Sequence, residues 1–345
     1  MLTLYKLSKT SKMLVWTIED DYIDEQIVIW HGQEDGIMQE VVIDIETNKS
    51  NRTIEDQLEL EFMSRVNKQL RLGYHYTRSE ALVSTHFTPM LAKKFKDHKV
   101  NYPVLVQPKL DGLRCIAKKL SLTQVELRTR GNKLIVTLDH IEDELLPYME
   151  VGDIVDGELY IHGIHLQTIN SLVKRKQEGT ITVEYHIFDA VGDKPFIDRQ
   201  LAIPTSRWIK RVSHEIVNTP DELEAYRVKT VAEGYEGIIV RNPSTPYEQK
   251  RTKHLLKHKV FTDKEFAIVD VKYVTSGPDK GCAILVCVNE DGKRFKTIPK
   301  GSKKYRRSIT KDVIGKEATV RFHGRSLDNV PVPNPVTIII DRGDK

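Results

Sequence analysis

Apolar and polar positions alternate through MLVWTIEDDYIDEQIVIWHG and again through EVVIDIE. A side-chain period of two is that of a half-buried strand, so the module from about Met13 to Tyr74 is predicted to begin with a small antiparallel sheet. The period then changes in TIEDQLELEFMSRVNKQLRLGY, which predicts an amphipathic helix ending at Gly73. YTRSEALVSTHFTPMLAKKFKDHK shows little periodicity and contains a proline, and is read as a linker into the next domain.

From Val104 to Lys259 the strand-like segments VLVQPKLDG, CIAKK, QVELRTR, DIVDGELYI, ITVEYHIFDAV and EGIIVRN alternate irregularly with helical ones, the pattern of an α+β domain. One helix carries its own punctuation: Thr219 with Glu222 as a capping box, Pro220 at the first helical position and Gly234 at the C-terminal cap. Beyond Phe261, EFAIVDVKYV, CAILVCV, RFKTI, EATVRFHG and VTIIID are short strands between Gly, Pro and charged turns, which predicts a small β-barrel. The expected organisation is a sheet-plus-helix module over residues 1–76, an α+β domain over 77–260 and a barrel over 261–345.

Composition changes this picture little. With 39% hydrophobic and 30% charged residues, 345 residues are enough for two or three cores. Lys plus Arg, 53, against Asp plus Glu, 49, leaves a net charge of +4, so a polyanion-binding surface has to come from local clustering. Cys115, Cys282 and Cys287 form no C-x-x-C pair, which argues against a zinc ribbon or a disulfide framework. No apolar stretch reaches the eighteen or more residues of a membrane span, and MLTLYKLSKTSKM lacks a hydrophobic signal core. The expectation is a cytoplasmic monomer that makes no membrane contact.

The chemistry lies in KLDGLR, Lys109 to Arg114, between two predicted strands. Its fixed letters K-x-D-G-x-R arise by chance in roughly one chain in a few hundred of this length. Read alone, the segment is equally well an exposed turn around Asp-Gly. A lysine amine attacks only when deprotonated, and its reference pKa of about 10.4 must be lowered by cations, a metal or desolvation. Arg114, Lys257 and Lys259 are candidates for that positive field.

Taken in order, the motifs resemble those of the covalent nucleotidyltransferases, the superfamily of ATP-dependent DNA ligases, RNA ligases and mRNA capping enzymes. The resemblance covers about Val104 to Lys345. It implies that Lys109 is the nucleophile that forms a lysyl-adenylate, and that Arg114 lies near the nucleotide or the DNA. It further implies that Arg130 in RTRGNK lies near the ribose or nick phosphate, that Glu158 in DGELY binds the ribose hydroxyl, and that Phe188 in YHIFDAV stacks on the base. Glu236 in EGYEGIIVR, with Glu158, is implied near a catalytic metal. Lys257 and Lys259 in LLKHK are implied at the α-phosphate, and Arg342 in the closing DRGDK at the pyrophosphate. Gln107, two residues before the nucleophile, matches a position that contacts the base's amino group; because an amide both accepts and donates, it discriminates weakly.

EGIIVRNP followed by LLKHKVFTDKEFAIVDV is similar to compact ATP-dependent DNA ligases of bacterial viruses. The fold implied is an ATP-grasp-like adenylyltransferase (nucleotidyltransferase) domain followed by an OB-fold barrel. The N-terminal module, with Trp16 and HGQEDG in place of a clear Trp-Gly-Arg, resembles a WGR domain. ATP, with Mg2+ or Mn2+, is the implied cofactor set and nicked duplex DNA the implied partner. The basic run KGSKKYRR, with Lys303, Lys304, Arg306 and Arg307, is the first candidate for phosphate contacts, ahead of VKRKQ. Two alternatives stay open: an RNA ligase or capping-type guanylyltransferase, and a catalytically inactive DNA-break binding protein.

Overall fold

A computed structural model describes residues 1–8, 10–47, 52–83, 87–275 and 277–340. The chain divides into two units, Met1–Thr88 with Arg128–Leu134, and Pro89–Leu127 with Ile135–Lys345. No described helix is long and apolar enough to cross a membrane.

In the first unit β1 (Leu2–Leu7), β2 (Met13–Asp21), β3 (Gln26–Gln33) and β4 (Gln39–Asp44) form an antiparallel meander in sequence order. Alternation sends Leu4, Trp16, Ile18, Ile27 and Ile29 to one face, where Leu58 and Val66 of α1 (Ile54–Arg71) complete the core. The α1 start is fixed by Thr53, whose hydroxyl accepts the Asp56 backbone N–H, and Gly73 follows its end at φ 88°. β1 was not expected, because LTLYKL buries fully only Leu4 and gains its place by pairing with β2. α2 (Arg78–Val83) likewise falls in the segment read as a linker.

The second unit opens with β5 (Leu91–Lys94), β6 (Val104–Lys109), β7 (Leu113–Ser121), β8 (Gln124–Thr129), β9 (Leu134–Ile135) and α3 (Asp139–Leu145). It continues through β10 (Ile154–Tyr160), α4 (Leu166–Lys174), β11 (Glu184–Ala190), α5 (Phe196–Leu201), β12 (Ile209–Arg211) and β13 (Glu215–Val217). α6 (Pro220–Ala232), β14 (Gly237–Arg241) and β15 (Arg251–Lys259) close this part. The strands make two sheets, ordered β13-β6-β14-β15-β5 and β12-β11-β10-β7-β8-β9. α6 starts where its punctuation placed it: Thr219 caps the Glu222 N–H, and Gly234 follows the helix at φ 91°. The Glu222 carboxylate reaches one residue further back than a capping box requires, accepting the Asn218 N–H at 2.8 Å.

The C-terminal strands are β16 (Thr262–Tyr273), β17 (Ala283–Val288), β18 (Arg294–Thr297), β19 (Glu317–Arg325) and β20 (Pro331–Ile340), with α7 (Lys303–Ser308) between β18 and β19. β16 pairs with β19 through its first half and with β17 through its second, the register shifting between Ile268 and Asp270. One strand shared between two partners in this way curls the sheet β18-β17-β16-β19-β20 towards the expected barrel, around Phe266, Ile268, Leu285, Cys287, Val320 and Phe322.

Candidate active site

Three adjacent strands set the centre of the site. Register places Lys109 of β6 opposite Gly237 of β14, and Gly237 opposite Lys259 of β15; two residues back, Gln107, Ile239 and Lys257 form the neighbouring row. Because side chains on a strand alternate, both rows lie on one face. The other face carries Val104, Val106, Ile238, Val240 and Leu256, which pack with Leu223 and Tyr226 of α6. The apolar side anchors the sheet and leaves the polar side for chemistry.

Glu236 ties this face together. Its carboxylate forms ion pairs with both Lys109 and Lys259, and its backbone N–H donates to the Lys109 carbonyl at 3.1 Å. The Glu236 side chain is only 5% exposed. Burial pushes its carboxyl up, but Lys109 and Lys259 outweigh burial and hold it below the ordinary value of 4.5. Lys257 shows the opposite balance, its ammonium lowered by burial and then by Lys259 and Lys109. His323 of β19 brings its Nε2 to 3.8 Å from the same carboxylate. The Lys109 nitrogen is thus turned onto Glu236.

The second sheet contributes Glu158, which lies in register between Arg114 of β7 and His186 of β11. Burial raises its carboxyl to about 7 against the pull of Lys109 and Arg114, while Asp156 and Glu236 add to the rise. Two carboxylates within electrostatic reach of one another form an oxygen donor set that suits a hard divalent cation. Among the described residues no group of three or more His, Cys, Asp and Glu could hold a metal by itself.

Arg114 is committed in a way its sequence did not show. Its Nε donates to Asp156 at 2.9 Å, and a terminal nitrogen donates to Asp156 at 2.5 Å and to the Met90 carbonyl at 2.7 Å. Tyr247 donates to the same carboxylate at 2.6 Å, so Asp156, at 0% exposure, has both oxygens hydrogen-bonded. Arg114 is therefore a paired, fixed cation, as Lys259 is through Glu236, which leaves Lys257 as the neighbouring lysine whose ammonium is lowered by burial, Lys259 and Lys109. Phe188 is half-buried, with the guanidinium carbons of Arg114 and Arg241 5.4 and 5.6 Å from its ring centre.

Lys109, Glu236, Lys257, Lys259, Gln107, Glu158, Phe188 and Arg114 thus share the face between the two sheets. Arg130 is exposed in the turn after β8, within the 128–134 segment that groups with the first unit. Arg342 lies outside the described residues. In the basic run, Lys303 and Arg306 pair with Asp279 at 3.7 and 2.9 Å, and Arg307 donates to the Lys280 carbonyl at 3.0 Å; Lys304 is exposed. Asp156, Asp189, Arg199, Arg241, Tyr247 and His323 were missed. Period two offered a signal for two of them, since Asp156 precedes Glu158 by two positions and Arg241 sits inside the apolar strand GIIVR.

Residues 89–259 match the family model described as "ATP dependent DNA ligase domain". The DNA ligase of African swine fever virus (isolate Pig/Kenya/KEN-50/1950) is 30% identical over 279 residues, 73% of this chain and 64% of the viral protein. The DNA ligase of Haemophilus influenzae is 25% identical over 203 residues, 56% of this chain and 72% of that protein. A solved Lig E DNA ligase superposes with a TM-score of 0.62 at 23% identity, over 73% of this chain and 98% of its own, a likeness of fold. The chain spans 64% of the length of the viral ligases it matches first.

Proposed function

Since this chain belongs to the ATP-dependent DNA ligase family through residues 89–259, we propose that it seals nicks in duplex DNA by way of an adenylate carried on Lys109. The Lys109 amine attacks the α-phosphorus of ATP, forming a phosphoramidate as pyrophosphate leaves. The AMP then passes to the 5′-phosphate at the nick, whose oxygen displaces the lysine. Finally the 3′-hydroxyl attacks that activated phosphate, losing its proton as the phosphodiester forms and AMP departs. Each step is an in-line displacement at phosphorus, for which positioning and charge stabilisation supply most of the catalysis.

The reading is carried by the Lys109–Glu236–Lys259 cluster: a lysine held by a buried carboxylate, with two further lysines on the same strand face to meet phosphate oxygens. Glu236 and Glu158 would hold the divalent ion, Mg2+ or Mn2+, which supplies charge neutralisation at the triphosphate. Phe188 offers a flat partner for the adenine. Arg342 is assigned to the pyrophosphate during the first step and Arg130 to the ribose or nick phosphate. Because the cleft must later admit DNA, the barrel swings away between steps. The domain limits 76/77 and 260/261, and DNA contact by the first unit, belong to the same reading.

Incubation with α-labelled ATP and a divalent cation should label the wild-type protein and leave Lys109→Ala unlabelled, and only the wild type should then join a nicked duplex. Labelling by GTP in place of ATP would indicate a capping-type enzyme, and joining of nicked RNA alone an RNA ligase. No label with either nucleotide would leave a DNA-break binding protein.

A further inference from the structure

Beside the lysines, and reached through Gln107 in the Lys257 row, lies a set of buried polar groups in which the proposed chemistry gives Arg241, Asp189 and Arg199 no part. Arg241, 4% exposed, donates from Nε to the Oε1 of Gln107 at 2.7 Å and from a terminal nitrogen to Asp189 at 2.7 Å. Asp189, at 0% exposure, takes two further hydrogen bonds from Arg199, at 2.9 and 3.2 Å. The guanidinium of Arg241 lies 4.4 Å from the Phe196 ring centre as well as beside Phe188. Gln107, 1% exposed, directs its amide nitrogen to the Val212 carbonyl at 3.4 Å.

An amide has an accepting end and a donating end, and the two are nearly equal in shape, so an unanchored glutamine can turn over and present either one. A guanidinium has donors only. Whatever faces Arg241 must accept, and the Gln107 oxygen is therefore held on that side with one lone pair left over. We propose that Arg241 is a positioning residue that fixes which way the Gln107 amide faces, making its oxygen the group that reads the purine's six-position. Adenine presents an amino hydrogen there and guanine a carbonyl oxygen, so a fixed acceptor favours adenine. If the amide turned over, its NH2 would greet guanine instead. The inference rests on the ligase reading of the site and explains how a residue that discriminates weakly by type discriminates by orientation.

The test uses the full chain and compares kcat/KM for self-adenylation with ATP against self-labelling with GTP. Arg241→Met leaves Asp189 with both of its Arg199 hydrogen bonds, so no buried carboxylate is orphaned. It should lower the ATP-over-GTP preference roughly tenfold, mainly through KM for ATP, while thermal unfolding stays cooperative. Gln107→Glu, whose carboxylate offers Arg241 and the base acceptors only, should keep the preference for ATP. Arg241→Lys should lie between, having no planar fork to hold both partners. A folded Arg241→Met with the wild-type ratio, or one that loses ATP and GTP labelling equally, overturns the inference. A Gln107→Glu that loses the preference overturns it too, even if Arg241→Met fails to fold. Wild type that takes label from neither nucleotide sinks the ligase reading and this inference with it, so the two failures are distinguishable.

Discussion

Glu158 shows how its surroundings set the ionisation of a carboxyl. Burial lifts its ionisation to about 7 from an ordinary 4.5, with Lys109 and Arg114 only partly restoring the charged form. In the unfolded chain it loses its proton near 4.5, whereas the folded protein keeps the proton to about 7. The folded state thus binds more protons across that interval, and its stability falls as pH rises through it. Glu158→Gln should flatten this slope, which urea unfolding midpoints between pH 4.5 and 7 would measure; an unchanged slope would place the titration elsewhere. Asp156, two positions earlier, obeys the opposite logic: two N–H groups of Arg114 and the hydroxyl of Tyr247 satisfy the charge where it is buried, so the arrangement costs stability only if one partner is removed.

At the scale of elements, the register between strands decides what the site contains. A slip of one residue between β6 and β14 would turn Lys109 and Gln107 into the α6 core and bring Val106 and Pro108 to the polar face, so the apolar face that packs on Leu223 and Tyr226 also aligns Lys109. The turn after β6 is equally tight. A Cβ at Gly112 would stand 2.4 Å from the Leu159 carbonyl oxygen and 2.8 Å from Glu158 Cγ. Backbone cannot yield there without moving β10, so Gly112→Ala should cost about 1–3 kcal/mol and slow self-adenylation by displacing Glu158 from Lys109. Denaturant unfolding beside a labelling time course would check this, and a variant as stable and as fast as wild type would contradict it.

For the whole molecule, a net charge of +4 is too small for any grip on a polyanion to come from overall charge, and local cations would have to supply it. In the barrel's basic run, Lys303 and Arg306 spend part of their charge on Asp279, while Lys304 and Arg307 are exposed on α7. Replacing Lys304 and Arg307 together with alanine should weaken binding to nicked duplex uniformly across sequences and reduce the slope of log affinity against log salt by roughly 2. Fluorescence titration at several salt concentrations reads that slope; an unchanged value would move the DNA surface off this helix.

Local chemistry sufficed for much of this protein. Period-two alternation located β2, β3 and the barrel strands, Thr219, Pro220 and Gly234 delimited α6, and KLDGLR with DGELY and LLKHK named most of the residues that meet between the two sheets, because each of these signals is complete within a few neighbours along the chain. What tertiary structure alone decided is who partners whom. β1 and β5 are strands because of what they pair with, Arg114 is neutralised by Asp156 42 positions away, and the Gln107 amide is oriented by Arg241 134 positions away. Arg130, in order along the chain, groups with the other unit. Hydrogen bonds and ion pairs depend on distance in space, and folding sets that distance between residues whose separation along the chain carries no trace of it.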